Sequence, residues 1–101
     1  MNKSDMDFFA RVFGALADPT RQHILKLLRE KDEMTVTDIA GNFELTQPTI
    51  SQHLRILKEV GVVKARKSGQ YVYYRICDVK IYDAMQQFMT VIKTEVRENK
   101  L

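Results

Sequence analysis

The stretch TQPTISQHLRILKEVGVVKARKSGQYVYY, residues 46–74, determines most of the architecture of this 101-residue chain. Thr46 is a favoured N-cap residue, and Pro48 falls in the first turn of a helix, where a missing N–H leaves no hydrogen bond unmade. Apolar residues recur at helical spacing as far as Gly61, a residue type common just after a helix ends. The first half of the stretch therefore predicts one amphipathic helix.

The second half of the stretch predicts a β-hairpin. Val62 to Arg66 and Gln70 to Ile76 read as two strands, and Lys67-Ser68-Gly69 supplies the turn between them. Side chains alternate along the aromatic second strand, so one set faces the core. We expect its tyrosines to be mainly structural, with Tyr71, which is nearest the turn, available for a contact.

Helical patterns surround this stretch on both sides. Apolar spacing predicts helices over residues 4–17, 19–30 and 79–97, and Thr37 caps a short helix over residues 38–43. The predicted order is α-α-α-α-β-β-α. Two short helices joined by a tight turn, over residues 37–60, form a helix-turn-helix, and the hairpin at 62–76 is its wing. The chain is thus predicted to be mainly α, a single winged helix-turn-helix domain over residues 1–101.

Positive charge is concentrated in the same part of the chain. Residues 47–75 carry six basic side chains and one acidic side chain, a net charge of +5, whereas the remaining residues sum to −2. This asymmetry indicates a localised site for a polyanion, although a solvated basic face would have the same composition.

The predicted fourth helix has two different faces. At about 100° per residue, Ile50, Leu54 and Leu57 fall on one line that should face the core. The opposite line carries Pro48, Gln52, Arg55 and Glu59, flanked by Ser51 and Thr49. The first turns of a recognition helix point at base edges, where glutamine can pair with adenine and arginine with guanine. The alternative is an ordinary amphipathic surface helix.

Double-stranded DNA is therefore the partner that the sequence favours. The predicted contacts are Thr46, Gln47, Pro48, Thr49, Ser51, Gln52, His53, Arg55 and Lys58 from the helix and its cap, and Arg66, Lys67, Ser68, Gly69, Gln70 and Tyr71 from the wing. Wing cations position a protein on the phosphates and set the salt dependence of binding. His53 lies roughly 60° from the core line, which favours a partly buried residue that holds the turn or touches a phosphate over a metal ligand.

Other functional classes find little support in the sequence. No apolar run is long enough to span a bilayer, no signal-peptide pattern is present, and the single cysteine, Cys77, fits the reducing cytoplasm. No catalytic triad, phosphate-binding loop or carboxylate pair in a pocket motif is apparent. We therefore predict a cytoplasmic protein that is not an enzyme and uses no cofactor.

Four motifs carry a resemblance that covers most of the chain. They are ALADPTRQHILKLL at residues 15–28, MTVTDIA at 34–40, LTQPTISQHLRILKEVGVV at 45–63 and KSGQYVYYRI at 67–76. Together they resemble the ArsR family of small winged helix-turn-helix repressors of bacteria and archaea. The resemblance implies a homodimer whose first and last helices pack across a two-fold axis. It also implies binding to a pseudo-palindromic operator, and repression that an inducer relieves.

Apolar stripes on the first and last helices agree with such a dimer, because a monomer of this size would expose much of them. The predicted interface consists of Phe9, Val12 and Phe13 on the first helix and Ile81, Tyr82, Met85, Phe88, Met89 and Ile92 on the last.

The family's sensing residues do not carry over to this chain. Many metal sensors of the family have Cys-x-Cys at the start of the third helix, where this chain has Thr-Val-Thr at residues 35–37. Another site type uses Asp and His pairs on the last helix, which here contains Asp83 and Glu95 but no histidine. Threonine hydroxyls do not bind soft metals, so no metal site is predicted. Cys77 is a candidate redox sensor, although a small half-buried apolar role is favoured, and disulfide sensors of the family need two cysteines.

The sequence thus predicts a sequence-specific DNA-binding transcriptional regulator, in the first place a homodimeric repressor without a recognisable metal site. Its inducer is unknown, and control by an organic ligand, a partner protein or its own concentration are all consistent with the sequence. The alternative is a winged-helix module for protein–protein contact. That alternative predicts apolar or acidic residues on the outer face of the fourth helix, where the sequence places Ser51, Gln52 and Arg55.

Overall fold

The computed structural model describes residues 2–99, with the surroundings of the side chains described as far as Lys93. Within these residues the elements are α1 (Lys3–Leu16), α2 (Pro19–Lys31), β1 (Met34–Thr35), α3 (Val36–Ala40), α4 (Gln47–Glu59), β2 (Val63–Ser68), β3 (Tyr71–Ile76) and α5 (Asp78–Asn99). This is the predicted order with one additional strand, β1. None of the helices in this part of the chain is long and apolar enough to cross a membrane.

The short α3 begins earlier than the sequence predicted. Thr35, and not Thr37, is its N-cap, because the Thr35 hydroxyl accepts a hydrogen bond from the Asp38 N–H at 3.1 Å. The Asp38 carboxylate accepts in return from the Thr35 N–H at 3.4 Å, which completes a capping box. The helix also ends at Ala40 and does not continue to Phe43, so both predicted boundaries were wrong.

The strand β1 was missed because two residues are too few to show the alternation of a strand. It forms only by pairing with β3, which places Met34 opposite Tyr74 and Thr35 opposite Tyr73. The resulting antiparallel sheet has the order β1-β3-β2. The wing is therefore attached to the helical body by a third strand that precedes the helix-turn-helix.

The hairpin turn is tighter than predicted. Lys67 and Ser68 belong to β2, with Ser68 opposite Tyr71, so Gly69 and Gln70 alone form the turn. Gly69 has φ 62°, the left-handed backbone that favoured two-residue hairpin turns require at their first position. The tip of the wing is consequently narrow, and Lys67 lies on a regular strand.

The recognition helix α4 is fixed by its inner face and by both of its ends. Ile50, Leu54 and Leu57 are completely buried, as the helical spacing predicted. At the C-terminal end the N–H of Gly61 donates to Lys58 O at 3.0 Å and that of Val62 to Leu57 O at 3.1 Å, the two bonds of a Schellman motif. Burying each large aliphatic side chain contributes about 1.5–3 kcal/mol, so this helix has little freedom to rotate.

The first helix is held mainly by contacts within its own chain. Phe9 is 2% exposed and Val12 is 0% exposed in the isolated chain, where they join the core formed with α2, α4 and α5. The rings of Phe13 and Phe88 meet edge to face at 5.2 Å, which fastens α1 to α5. Phe9 and Val12 have no surface left for a second subunit, so their predicted place in a dimer interface is corrected to a place in the core.

Candidate nucleic-acid interface

The outer face of α4 is polar, cationic and exposed. The DNA contacts that the sequence predicted on α4, apart from His53, are all exposed in the structure, namely Gln47, Pro48, Thr49, Ser51, Gln52, Arg55 and Lys58. The only acidic side chain on this helix is Glu59, at its last residue. The structure therefore brings the predicted base-contacting residues together on one surface of a helix whose other face is locked in the core.

The N-terminal end of α4 is built by the threonines that precede and begin it. The Thr46 hydroxyl accepts from the Thr49 N–H at 3.4 Å and lies 3.0 Å from the Thr49 hydroxyl. Gln47 Nε2 donates to the Thr37 hydroxyl at 3.3 Å, which connects α4 to α3 across the turn. These contacts set the helix-turn-helix angle and leave Gln52 and Arg55, one turn further along, uninvolved in the cap.

Arg55 is lightly restrained. Its Nε lies 3.8 Å from Glu59 Oε1, an exposed pair one helical turn apart. Pairs of this kind stabilise a helix by about 0.3–0.5 kcal/mol, which is small beside the 1–3 kcal/mol or so of a bidentate contact with guanine. The guanidinium can therefore leave Glu59 for a base edge at little cost.

His53 is half-buried and faces another helix. Its Nδ1 lies 3.2 Å from Nη1 of Arg21, a residue in the first turn of α2. The sequence predicted a partly buried histidine that holds the turn or touches a phosphate, and the structure gives its Nδ1 an intrachain partner. The sequence did not identify Arg21, because the two residues are 32 positions apart and no local pattern connects them.

The two faces of the wing have different compositions. One face has Val63, Ala65, Tyr74 and Ile76 towards the core, and Lys67 extends the same face beyond it. The other face consists of cross-strand pairs, Lys64 opposite Arg75, Arg66 opposite Tyr73 and Ser68 opposite Tyr71. Tyr71 is well exposed near the tip, whereas Tyr74 packs against the core. Cations are thus displayed on both faces of the hairpin.

Arg66 is already engaged by an acid from the helical body. Its Nε donates to Glu33 Oε2 at 2.7 Å and its Nη2 to Glu33 Oε1 at 3.0 Å, and its guanidinium lies 4.9 Å from the Tyr73 ring centroid. The hydrogen bond from Arg66 holds the pKa of the Glu33 carboxyl below its usual range. This bidentate pair bridges the α2–β1 connection and the wing, so Arg66 is placed to anchor the hairpin.

Lys64 and Arg75 form a feature that was not among the predicted contacts. They lie directly opposite each other on β2 and β3, and both are exposed. Like charges in this position repel and destabilise a sheet slightly, so an anion between them would relieve that repulsion. The sequence showed that both residues are basic. It did not show that they lie opposite each other, because that depends on the register of the hairpin.

Cys77 is half-buried at the junction of the wing and α5. It borders a surface pocket of about 330 Å³ together with Lys64, Lys80 and Asp83. Among the side chains that the structure describes, no three histidine, cysteine, aspartate or glutamate residues are grouped as they would be to hold a metal ion. The side chain of Glu95 lies outside the described part of the chain.

An apolar strip on α5 is left uncovered by the residues that the structure describes. Its members recur every three or four residues and so share one face of the helix: Val79, Tyr82, Met85, Met89 and Ile92. Tyr82 is 64% exposed and Met89 51%. Ile81 and Phe88, which were predicted to belong to the same interface, are half-buried against the core.

These features define the class of the protein, a winged helix-turn-helix. The family model described as bacterial regulatory protein, arsR family, matches residues 18–65. The chain is 47% identical over 77 residues to an uncharacterised HTH-type transcriptional regulator of Methanocaldococcus jannaschii, covering 76% of this chain and 86% of that protein. It is 41% identical over 81 residues to the transcriptional repressor SdpR of Bacillus subtilis, covering 80% and 89%.

Solved structures agree with these sequence matches. An ArsR-like transcriptional regulator from Rhodococcus has a TM-score of 0.82 over 94% of this chain and 89% of its own, at 24% identity, which supports the fold. A homodimeric winged helix-turn-helix DNA-binding domain from Mycobacterium bovis has a TM-score of 0.69 at 38% identity, covering 89% and 84%. The chain belongs to the ArsR family and is a DNA-binding transcriptional regulator.

Proposed function

We propose that this chain is a repressor that binds a pseudo-palindromic operator as a homodimer. The observation that carries the proposal is the arrangement of α4, whose inner line of Ile50, Leu54 and Leu57 is fully buried while Gln52 and Arg55 are exposed on the other side. A helix held in this way can present a fixed set of donors and acceptors to the major groove. The repressor SdpR, at 41% identity, supports repression as the outcome.

Sequence readout is assigned to the outer face of α4. Gln52 can pair with adenine N6 and N7, Arg55 with guanine O6 and N7, and the Ser51 hydroxyl can serve either a base or a phosphate. Thr46 and Thr49 already share their hydroxyls in the helix cap, so we assign them to shaping the N-terminus of α4, where a phosphate can bind.

Contacts with the phosphate backbone of DNA are assigned to the cations around α4 and along the wing. Lys58 and Lys67 are exposed, and within the described side chains neither belongs to an ion pair. The opposed Lys64 and Arg75 add a second concentration of charge at the base of the wing. Arg66, predicted from the sequence as a phosphate contact, is reassigned as an anchor of the wing because Glu33 holds it bidentately. Ser68, Gly69, Gln70 and Tyr71 remain assigned to the approach of the wing tip to DNA.

The exposed strip on α5 is assigned to the dimer. Tyr82, Met85 and Met89 would be covered by the same residues of a second copy across a two-fold axis. The homodimeric relative from Mycobacterium bovis, at 38% identity, supports a second copy of this chain as the partner that covers the strip. Two-fold symmetry would place the two α4 helices on half-sites one helical turn of DNA, about 34 Å, or a multiple of it apart.

We assign no metal sensing to the positions that metal sensors of the family use, because residues 35–37 offer no thiolate. Control of the repressor is assigned to an organic ligand, a partner protein or the protein's own concentration. A cytoplasmic location and the absence of enzymatic activity remain part of the proposal, and membership of a family of transcriptional regulators supports both.

Equilibrium titrations with a labelled duplex from the chain's own promoter test the DNA-binding assignment. We expect Gln52→Ala and Arg55→Ala each to weaken binding to the specific duplex by about 1–3 kcal/mol, with little effect on a scrambled duplex. Lys26→Gln removes one exposed charge from α2, outside the helix-turn-helix and the wing, and serves as the control. Unchanged specific affinity in both α4 variants would refute the groove assignment.

Sedimentation equilibrium tests the dimer assignment separately. We expect the unmodified chain to sediment as a dimer and Met85→Asp, which places a charge in the exposed strip, to sediment as a monomer with its helical content intact. A dimer that is unaffected by Met85→Asp would show that the strip on α5 is not the interface.

A further inference from the structure

The guanidinium of Arg21 joins three helices. Its Nε donates to Ala15 O at 2.7 Å and its Nη2 to Gly14 O at 3.4 Å, so it binds two carbonyls in the last turn of α1. Its Nη1 lies 3.2 Å from His53 Nδ1 on the recognition helix. A cation is favourable at a helix C-terminus, where the unpaired carbonyls lie. Arg21 therefore connects the end of α1 to the middle of α4.

The chemistry of this contact fixes the state of the histidine. An arginine side chain has five N–H donors, no acceptor, and keeps its proton in proteins. His53 Nδ1 must consequently be the acceptor, and the proton of the neutral ring is on Nε2. The contact therefore requires one specific tautomer of His53.

The position of His53 makes this contact relevant to DNA binding. His53 directly follows Gln52 and precedes Arg55 by two residues. It is half-buried and lies about 60° from the buried line of α4, between the core line and the DNA-facing line. The burial of Ile50, Leu54 and Leu57 leaves α4 little freedom to rotate, and a directional bond from its flank sets the rotation that remains. A small rotation of α4 would move both base-contacting side chains together.

We propose that Arg21 is a positioning residue for DNA binding, which through His53 sets the orientation of the recognition helix relative to α1 and thereby the half-site spacing that the dimer accepts. The proposal rests on the proposed function. Because α1 is fastened to α5 by the contact of Phe13 with Phe88, and α5 carries the strip assigned to the dimer, an orientation fixed relative to α1 is fixed relative to the two-fold axis.

The tautomer of His53 tests the contact itself without DNA. In a long-range proton–nitrogen NMR correlation of the unmodified chain at neutral pH, we expect His53 Nδ1 to have the shift of an unprotonated ring nitrogen and Nε2 that of a protonated one. Arg21→Gln should remove this preference. A proton on Nδ1 in the unmodified chain would overturn the proposal, because Arg21 could then not donate to it.

Two substitutions at His53 test the effect on spacing while leaving the bonds from Arg21 to α1 in place. Asparagine keeps an acceptor at the δ position, whereas leucine has none. Binding is measured by equilibrium titration of duplexes that carry the operator, or the same half-sites separated by one or two additional base pairs. We expect His53→Leu to reduce the preference for the native spacing about tenfold, which corresponds to one hydrogen bond to a charged group. His53→Asn should stay close to the unmodified chain.

The outcomes separate this proposal from the one on which it rests. If the unmodified chain binds the operator and His53→Leu retains its full spacing preference, the positioning role is refuted while the repressor assignment stands. If the unmodified chain binds no duplex specifically, both are refuted. Circular dichroism of both variants shows whether they fold, and an equal loss of spacing preference in His53→Asn and His53→Leu would also contradict the role given to the acceptor.

Discussion

The bidentate pair between Arg66 and Glu33 predicts that neighbouring cations on β2 contribute very differently to DNA binding. Arg66 is neutralised by Glu33 at 2.7 and 3.0 Å, whereas Lys67, the next residue, is exposed and belongs to none of the described ion pairs. A cation that is paired in the free protein releases no DNA counterion if it remains paired in the complex. We therefore expect Lys67→Gln to flatten the salt dependence of binding and Arg66→Gln to leave its slope unchanged.

The size of the effect follows from counterion release. Each phosphate contact contributes about 0.9 to the slope of log affinity against log salt concentration. A dimer loses two contacts when Lys67 is replaced, so its slope falls by about 1.8. Between roughly 50 and 200 mM salt, this makes the loss of affinity about twelvefold smaller than in the unmodified protein. Glu33→Gln should act in the opposite direction, because it frees Arg66 for a phosphate.

The assay is fluorescence anisotropy with one operator duplex at five or more salt concentrations. Lys26→Gln is the charge-matched control and should reproduce the unmodified slope, because Lys26 lies on α2. A slope for Arg66→Gln that is as shallow as that of Lys67→Gln would show that Arg66 leaves Glu33 and binds a phosphate in the complex, which contradicts its role as an anchor of the wing.

Three further predictions concern stability and sensing. The hydrogen bond from the backbone N–H of Arg21 holds the pKa of the Asp18 carboxyl below its ordinary value of 3.8. The stability that this ionised carboxylate contributes is therefore present above pH 3.8 and is lost as the pH falls through the pKa of the folded state. Urea unfolding at a series of pH values should show this loss of free energy of unfolding. In Asp18→Asn, which keeps an N-cap acceptor but does not ionise, the loss at low pH should be smaller by the contribution of Asp18. Leu54→Ala should reduce the free energy of unfolding by about 3 kcal/mol in the same assay, because Leu54 is completely buried in the core; a change below about 1 kcal/mol would contradict the packing of α4. Zinc titration with elemental analysis should find no stoichiometric tight site, and one tight zinc ion per subunit would contradict the proposed metal-independent control.

The parts of the fold that were predicted from the sequence are those governed by local periodicity. The spacing of Ile50, Leu54 and Leu57 predicted which face of α4 is buried, and Gly61 predicted where the helix ends. The hairpin was predicted from composition, but its register was not, so Lys67 was placed in the turn instead of on β2. The strand β1 could not be predicted because its two residues exist as a strand only beside β3.

The contacts that organise the candidate site were not predictable in the same way. Arg21 meets His53 across 32 residues and Glu33 meets Arg66 across 33, and neither pair has a local sequence signature. Apolar spacing on the first helix showed that one face must be covered but not by what. Phe9 lies in the core, whereas Tyr82, Met85, Met89 and Ile92, which the same kind of spacing predicted on the last helix, are exposed on α5.

Selection of random duplexes by the unmodified chain and by Gln52→Ala and Arg55→Ala tests whether α4 reads the operator. We predict that the unmodified chain enriches a two-fold symmetric site with half-sites one helical turn, or a multiple of it, apart. Each variant should enrich the same site with the preference relaxed at one base pair in each half-site, an adenine position for Gln52 and a guanine position for Arg55. Enrichment of no common sequence by the unmodified chain, or of an identical site by all three proteins, would contradict the account.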